Sequence, residues 1–554
     1  MASYVSTQSG NFSDPNTWGG AGYPHLAGDT FTVSVGHTVT VDISLAGINL
    51  GASTVNGTLQ WATGANTALQ HNGTITGNNG AIVGQAAAVG AGYTAQLIWG
   101  GADGGKLLWI KDGCQFLPLG HYDWNMQSEA WASCYTTLQA QAASGQPDIS
   151  VPAAFANALQ ASGDVLLIQG TTGYTQSEIV TVLSKSGGTI TLTGNLANTH
   201  ASGAYVCLLS RNFIVKGSSA SNRFVIDNDN TVAGNCDCKL TFFENVYELQ
   251  GSTTVQTWDF DFCAFKCRYG LTTLAAKATN TIFAGENTSA RLINNGYNLT
   301  LQHVVFGHGT YGIFNYWAGR CEDLTFFGLT YGLAALDTIT LSGAEFLNNY
   351  YAVYLVAYNE ITDGTFSGNT IDVYVQGGQL VARYCDLAVV SLTSTRGFTT
   401  WVCSQDHGRV LGAAKTWIGQ VGTIERQNSV ARSGYAAEVT TGPQCSSDEP
   451  LEIPFDIPCT HGDVITASIY VRVNSTYGTD HDPTLVLDPD GIYGCADTST
   501  EDVTAADTWT QLTVTGTANL GGAGVKGVVN CVLRIPYYVA GGKVYVDDFE
   551  VTIA

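Results

Sequence analysis

Charge is what this 554-residue chain has least of: only 12% of its residues are Asp, Glu, Lys or Arg, against a usual share of about 25%. Long solvent-exposed helices are therefore excluded over most of its length, because they lean on i,i+4 ion pairs. Basic charge is scarcer still, with 22 Lys and Arg against 45 Asp and Glu and a net charge of −23. That excludes a general role on nucleic acid, which needs a basic face, and disfavours an anionic membrane surface. No stretch of 18 or more apolar residues occurs, so no membrane-spanning helix is expected. The opening Met-Ala-Ser-Tyr-Val-Ser-Thr-Gln has neither a basic start nor an apolar stretch, so no secretory signal is expected. Also missing are G-x-S-x-G, a Walker A loop, H-E-x-x-H and a dinucleotide fingerprint. Asp488-Pro489-Asp490-Gly491 lacks the remaining acidic ligands of a Ca²⁺ loop and reads as a turn.

What is present is a period. Phe306, Phe326, Phe346 and Phe366 fall 20 residues apart, and Tyr311-Gly312, Tyr331-Gly332 and Tyr351-Ala352 keep the same interval. A fixed period near 20 residues marks a solenoid whose repeats bury their apolar faces against each other. One coil further on, Asp386 stands where Phe is due and Arg383 three places before it, so the solenoid should end near residue 400. Glycine is abundant at 65 residues and proline scarce at 12, which suits short strands joined by turns. Phe31, Val33, Val39 and Val41 alternate with polar residues, a β pattern. Pro152 and Gly163 bracket a short Ala-rich stretch that suits a helix. From about residue 431 the strands lengthen and the period is lost.

The expected fold class is all-β: a right-handed parallel β-helix followed by an antiparallel β-sandwich. The expected spans are 1–125 for a β domain opening the helix, 126–164 for a helix-containing insertion, and 165–403 for the β-helix. A connector over 404–430 and a sandwich over 431–554 complete the chain.

Two segments carry family resemblances. "NTWGGAGYPHLAGDTFTVSVGHTVTVD" (16–42), "INLGASTVNGTLQW" (48–61) and "GTITGNNGAIVG" (73–84) resemble the domain named for its eight glycines. The likeness continues over 162–200 and "LLSRNFIVKG" (208–217). That domain occurs in fibrocystin and in the cell-migration-inducing hyaluronidases, where it opens a right-handed parallel β-helix. Beyond Gly217 the segment to Val246 contains no His, so the resemblance implies fold and glycan affinity rather than hyaluronidase activity. "SVARSGYAAEV" (429–439), "PFDIPCTHGDVITASIYVRV" (454–473), "TWTQLTVTGTA" (508–518) and "GGKVYVDDFEV" (541–551) resemble a carbohydrate-binding jelly roll of the family 4/9 type. Such domains often hold a structural Ca²⁺ near the last strand. Asp547 and Asp548 match that position, with Glu438 a weaker match. Against this stands a sandwich used only for packing or trimerisation.

Candidate site residues follow from the register. With Phe as position zero pointing inward, strand alternation sends positions −1 and −3 outward. Position −3 holds His303, Asp323 and Asp363, and position −1 holds Val305 and Glu345. Coils stack about 4.8 Å apart, so Asp323 to Glu345, and Glu345 to Asp363, should each span about 8 Å. Two carboxyls about 6.5–9.5 Å apart are what an inverting glycosidase needs, one as acid and one to activate water. The plainer reading is that these are solvating residues. Asp227, Asp229, Asp259 and Asp261 form a second, less regular acidic group. Tyr311, Phe314, Tyr316 and Trp317 crowd one turn beside Arg320, a set suited to sugar rings and their hydroxyls or carboxylates. Part of that set is equally suited to closing the core.

There are 14 Cys. Cys236, Cys238, Cys263 and Cys267 have the strand parity to face one point, as core thiols or as a structural metal site. Cys445, Cys459, Cys495 and Cys531 leave disulfides open in the last region.

Together these features resemble bacteriophage tailspike or tail fibre proteins. The resemblance implies a virion-associated, homotrimeric, receptor-binding protein that recognises host surface glycan and attaches to other tail or capsid proteins, with no nucleic acid and no membrane insertion. It requires no cofactor beyond a structural Ca²⁺. Release by lysis would explain an extracellular texture without an export signal. Two alternatives are a polysaccharide hydrolase or lyase on the same scaffold, and a purely structural capsid-decorating or fibre protein.

Overall fold

The computed structural model describes all residues except 21, 86, 112, 122–133, 172, 230–234, 252–255, 315–316, 336–338, 357–358, 376–379, 384, 386–388, 393–395, 399–414, 418–421, 428–435, 442–450, 478–481, 489–494, 523–525, 537–538 and 554. The chain forms two compact units, Met1–Leu333 with Leu347–Tyr350, and Ala334–Phe346 with Tyr351–Ala554.

In the first unit, parallel pairing begins at Ser3–Val5 on Thr30–Val33. Three columns of stacked strands follow. One runs from Ser53–Val55 through Ile75–Gly77 to Gly105–Ile110 and Phe224–Asn228. A second runs through Thr38–Val41, Thr58–Trp61, Ile82–Gly84, Gln115–Leu117, Cys236–Lys239 and Gln256–Asp261. The third runs through Thr67–His71, Ala95–Trp99 and Phe213–Gly217 to residues 241–244 and Ala264–Cys267. Three columns of parallel rungs make a three-faced β-helix. Alternation fills it, with Phe31, Val33, Val39, Val41, Leu59 and Trp61 all buried.

An inner ladder of phenylalanines defines the later coils. Phe243 stacks on Phe265 at 4.7 Å, Phe265 on Phe283 at 4.5 Å, Phe283 on Phe306 at 5.3 Å and Phe306 on Phe326 at 4.9 Å. The ladder thus starts well before Phe306, at spacings of 22, 18, 23 and 20 residues. A buried Asn caps the turn three residues after the Phe: Asn349 Nδ2 donates to Phe326 O (3.0 Å), and its Oδ1 accepts from Leu329 N (3.2 Å).

Residues 134–209 leave the helix between adjacent coils. They form a six-stranded antiparallel sheet in the order Tyr135–Thr137, Tyr205–Leu208, Val165–Ile168, Glu178–Ser186, Thr189–Leu192, Asp148–Ser150. One helix, Ala153–Ala158, lies within this segment. The strands Val165–Ile168 and Thr189–Leu192 therefore do not stack as coils, where the 165–403 span placed them. Period-2 alternation is the same in a coil and in a hairpin. Gly187-Gly188 is the feature that separates the two, a two-residue turn between Ser186 and Thr189 with Gly187 at φ 58.

In the second unit, Ile339–Ser342, Asn359–Thr362 and Leu380–Arg383 stack in parallel, as do Tyr351–Leu355, Ile371–Val375 and Val389–Leu392. Phe346 lies on Phe366 at 4.9 Å. Val389–Leu392 then pairs antiparallel with Gly422–Gln427, which ends the coil pattern. The remainder is antiparallel. Ala436–Thr441, Val544–Ile553, Val464–Val473 and Thr510–Thr517 continue one sheet. Leu451–Thr460, Lys526–Ile535 and Thr484–Leu487 form the centre of another. Their buried faces carry Ile465, Ala467, Ile469, Val471, Leu485, Leu487, Val529 and Leu533. The all-β fold class, parallel helix then antiparallel sandwich, is the one the sequence predicts. Among the described residues no helix is long and apolar enough to cross a membrane.

Candidate functional site

The outer surface of the coils follows from their corners. Leu240, Phe262, Asn280, His303 and Asp323 each precede a ladder Phe by three residues, and their φ angles are 51, 52, 51, 52 and 51°. In the second unit, Gly343 (φ 67) and Asp363 (φ 56) hold the same place. Position −3 is thus a left-handed corner, not part of an extended strand. Non-Gly residues pay for this conformation, about 1–2 kcal/mol each. Its recurrence in coil after coil shows that the corner is architectural rather than a local catalytic strain.

This corrects the geometry expected for the acidic group. Alternation does not carry through a corner, so the 8 Å spacings lose their basis. Asp323 and Asp363 are exposed, and Glu345 is half-buried on Glu345–Leu347. What the corners do bring together is His303 and Asp323, with Nε2 3.1 Å from Oδ2.

Position −1 is not free surface in the first unit. Phe242, Ala264, Ile282 and Val305 are buried beneath the inserted sheet, in one cluster with Leu166, Leu167, Ile168, Val206 and Leu208. The contact is close: a Cβ on Gly307 would sit 2.9 Å from Leu167 Cδ2. Tyr205 stacks parallel on Phe327 at 6.2 Å, and Tyr174 meets Tyr350 at 5.3 Å. At the same junction Glu178 accepts from the main-chain N–H groups of Ala197 and Asn198 and holds His200 Nε2 at 3.0 Å.

Of the second acidic group, Asp227 pairs with Lys106, and Asp229 accepts from Trp109 Nε1 (2.5 Å). Asp259 lies 3.4 Å from Lys277. Asp261 differs. Burial raises its carboxyl pKa, Asp259 adds to the rise, and a bond from Asn280 Nδ2 (3.2 Å) opposes it.

The half-exposed aromatics lie on the next face, past the corner. Tyr247 meets Tyr269 at 5.3 Å, and Tyr311 stacks on Tyr331 at 4.7 Å and 7°. Arg291 stands between these pairs: its backbone N–H bonds Arg268 O one coil before, and Tyr311 N bonds Ala290 O one coil after. The Arg291 guanidinium lies 5.4 Å from the Tyr311 ring centre and 4.8 Å from that of Phe314. Arg268 lies 5.3 Å from the Tyr269 ring centre, and Arg223 5.7 Å from that of Tyr247. Of the residues on this face, Tyr311 and Phe314 are among those the sequence singles out; Tyr247, Tyr269 and Arg291 are not, because the 20-residue interval fails upstream of Phe306. Tyr316 lies outside the described residues, as do the side chains of Trp317 and Arg320.

The expected metal positions have partners within the chain. Asp547 is buried and its Oδ1 accepts from Asp548 N (2.8 Å), while Asp548 sits in a bulge at φ 48. Glu438 pairs with Lys543. The four upstream thiols are buried in the core. Cys263 Sγ donates to Cys238 O (3.2 Å), Cys267 Sγ to Ala284 O (3.8 Å), and Cys236 Sγ accepts from Asn228 Nδ2 (3.2 Å). Burial pushes the Cys263 thiol up to about 12 and raises Cys236, Cys238 and Cys267 as well. Among the described residues no three His, Cys, Asp or Glu side chains converge on a point that suits a metal. Cys459, Cys495 and Cys531 are buried free thiols.

No family model matches the chain, and no curated protein does. Among solved structures, the tailspike gp61 of Pseudomonas phage phi297 is 10% identical with a TM-score of 0.24, over 89% of this chain and 90% of that one. The gp54 tailspike of Acinetobacter baumannii bacteriophage AP22, solved in complex with A. baumannii capsular saccharide, is 12% identical with a TM-score of 0.20, over 88% and 91%. A structure titled for CBM4 structure and function is 18% identical with a TM-score of 0.17, over 24% of this chain and 78% of its own. TM-scores this low do not bear on what the chain does.

Proposed function

We propose that this chain is a receptor-binding protein of a bacteriophage virion, a tailspike or tail fibre, that recognises polysaccharide on the host surface. The observation that carries the reading is the column of half-exposed Tyr and Arg side chains on the coil face from Tyr247 to Tyr331. Sugar rings stack on aromatic faces, and a rigid column of rungs about 4.8 Å apart presents those faces with little ordering cost. The carbohydrate-binding resemblance of 431–554 and the eight-glycine resemblance of 16–217 point the same way. A homotrimer attached to other tail or capsid proteins belongs to this reading. The test is an array of bacterial surface polysaccharides probed with the full chain, together with antibody labelling of purified particles. Binding to a surface glycan and label on the tail are expected. An empty array, or label confined to the capsid shell, would favour a structural protein instead.

A second reading, a depolymerase, is favoured by Asp261. A half-buried carboxyl with a raised pKa beside Asp259, which Lys277 keeps paired, is the division of labour a glycosidase uses. Release of reducing ends from a bound glycan, abolished by Asp261→Asn, would support it. Release that survives this substitution would place the chemistry elsewhere.

A further inference from the structure

The column of Tyr and Arg side chains has a chemical bias that narrows its ligand. Basic residues are outnumbered two to one in this chain, 22 against 45, and most described cations are spoken for. Lys106, Lys239, Lys266 and Lys277 pair with Asp227, Asp237, Glu244 and Asp259. Arg223 is held by Asp103 and Glu286, and Arg211 is buried against the backbone oxygens of Leu208, Ser210 and Phe262. Arg291 has no such partner among the described residues. Its guanidinium makes one hydrogen bond among the described residues, a long one from Nη1 to Asn294 Oδ1 at 3.4 Å, and its plane is supported by Tyr311 and Phe314. Arg268, one coil away, rests on Tyr269, and Asp103, whose field it shares, is already taken by Arg223.

In a chain of net charge −23, two neighbouring guanidinium groups left half-exposed and propped on aromatic rings are out of keeping with simple solvation. A stacked guanidinium keeps its N–H edge directed and free, the arrangement that binds a carboxylate through two parallel hydrogen bonds. On either side, the half-exposed Tyr269 and Tyr331 offer ring surface and hydroxyls to neighbouring sugar rings. The coil rise of about 4.8 Å is close to the advance of one sugar along an extended polysaccharide.

We propose that this face binds an acidic polysaccharide, with Arg291 taking the carboxylate of one sugar, Arg268 assisting from the adjacent coil, and the tyrosines holding the flanking rings. The proposal deepens the receptor-binding reading and rests on it. The strong negative charge elsewhere then acts against mis-registered binding, since an acidic chain is repelled everywhere except along this column.

The experiment uses the full chain and a panel of uronate- or sialate-containing bacterial capsular polysaccharides. Each is paired with its carboxyl-reduced, neutral counterpart and titrated at low and high salt. Binding of at least one acidic polysaccharide is expected, at least tenfold weaker for its reduced form and weakened by salt. Arg291→Gln should lose about tenfold for the acidic form and leave the reduced form unchanged, while Arg291→Lys should recover part of the loss. Arg268→Gln provides a second reading of the same site should the Arg291 variants melt early. If the chain binds neutral glycans as well as acidic ones, or acidic binding ignores both arginines, the acidic-ligand proposal is wrong while receptor binding stands. If no glycan of any kind binds, both fail.

Discussion

His303 Nε2 lies 3.1 Å from Asp323 Oδ2, and both residues occupy left-handed corners of successive coils, at φ 52 and 51. Both side chains are well exposed, 37% and 57%. Exposed pairs contribute about 0–1 kcal/mol, so Asp323→Asn should shift the urea midpoint only slightly. A β-branched residue meets the full left-handed penalty, about 1–2 kcal/mol. Asp323→Val should therefore destabilise clearly more than Asp323→Asn or Asp323→Gly. Equal effects of Val and Gly would show that the corner conformation is wrong.

The phenylalanine ladder sets the stability of the first unit. Phe283 is fully buried between Phe265 and Phe306. Phe283→Ala should cost about 3–5 kcal/mol, and Phe283→Leu distinctly less. Denaturant unfolding of the two variants measures both. A loss below about 1 kcal/mol for Ala would mean that the ring does not close the core.

Acid should weaken the first unit through His71. Burial lowers its pKa from 6.5 to about 4, with its Nδ1 against Gly51 O at 3.0 Å opposing the shift and its Nε2 without a hydrogen-bond partner. The folded state thus holds His71 neutral while the unfolded chain takes up the proton first. Its contribution is complete above pH 6.5 and is lost as pH falls towards 4, by up to about 3 kcal/mol. His71→Phe, beside Phe31, should flatten that part of the stability–pH curve. An unchanged slope between pH 6.5 and 4 would contradict the assignment.

The inserted sheet makes equivalent coil positions unequal. Val305 is buried under it, whereas Thr365, the matching residue of a later coil, is exposed. Val305→Asp should cost several kcal/mol by burying an unpaired carboxylate, and limited proteolysis should then cut within 134–209. Thr365→Asp should be close to neutral. Similar tolerance at both positions would mean that the insertion does not cover the coil.

The sequence carried the solenoid because a ladder of identical side chains at a constant interval is a direct image of stacked coils. Upstream, Phe243, Phe265 and Phe283 do the same work at unequal intervals, since corners and loops absorb the extra residues, and the pattern fades from view. Two local signals in the sequence mark these features: Gly187-Gly188 as a hairpin turn, and the Asn three residues after Phe346 and Phe366. Asn369 Nδ2 indeed bonds Phe346 O at 2.9 Å. The spacing expected for the acidic candidates loses its basis for a definite reason: alternation does not run through position −3, where the backbone turns left-handed. Arg291 was invisible because it replaces a tyrosine in the column, and only stacking shows that the two positions are equivalent.

The proposed function requires that the tyrosine and arginine face bind glycan. Its most direct measurement is calorimetric titration of the best array ligand into the full chain and into the Tyr311→Ala, Tyr331→Ala double variant, at matched thermal midpoints. At least a tenfold loss of affinity is expected, about 1.4 kcal/mol, with the number of sites per chain unchanged. Undiminished affinity in a folded double variant would contradict it and move the binding site off this face.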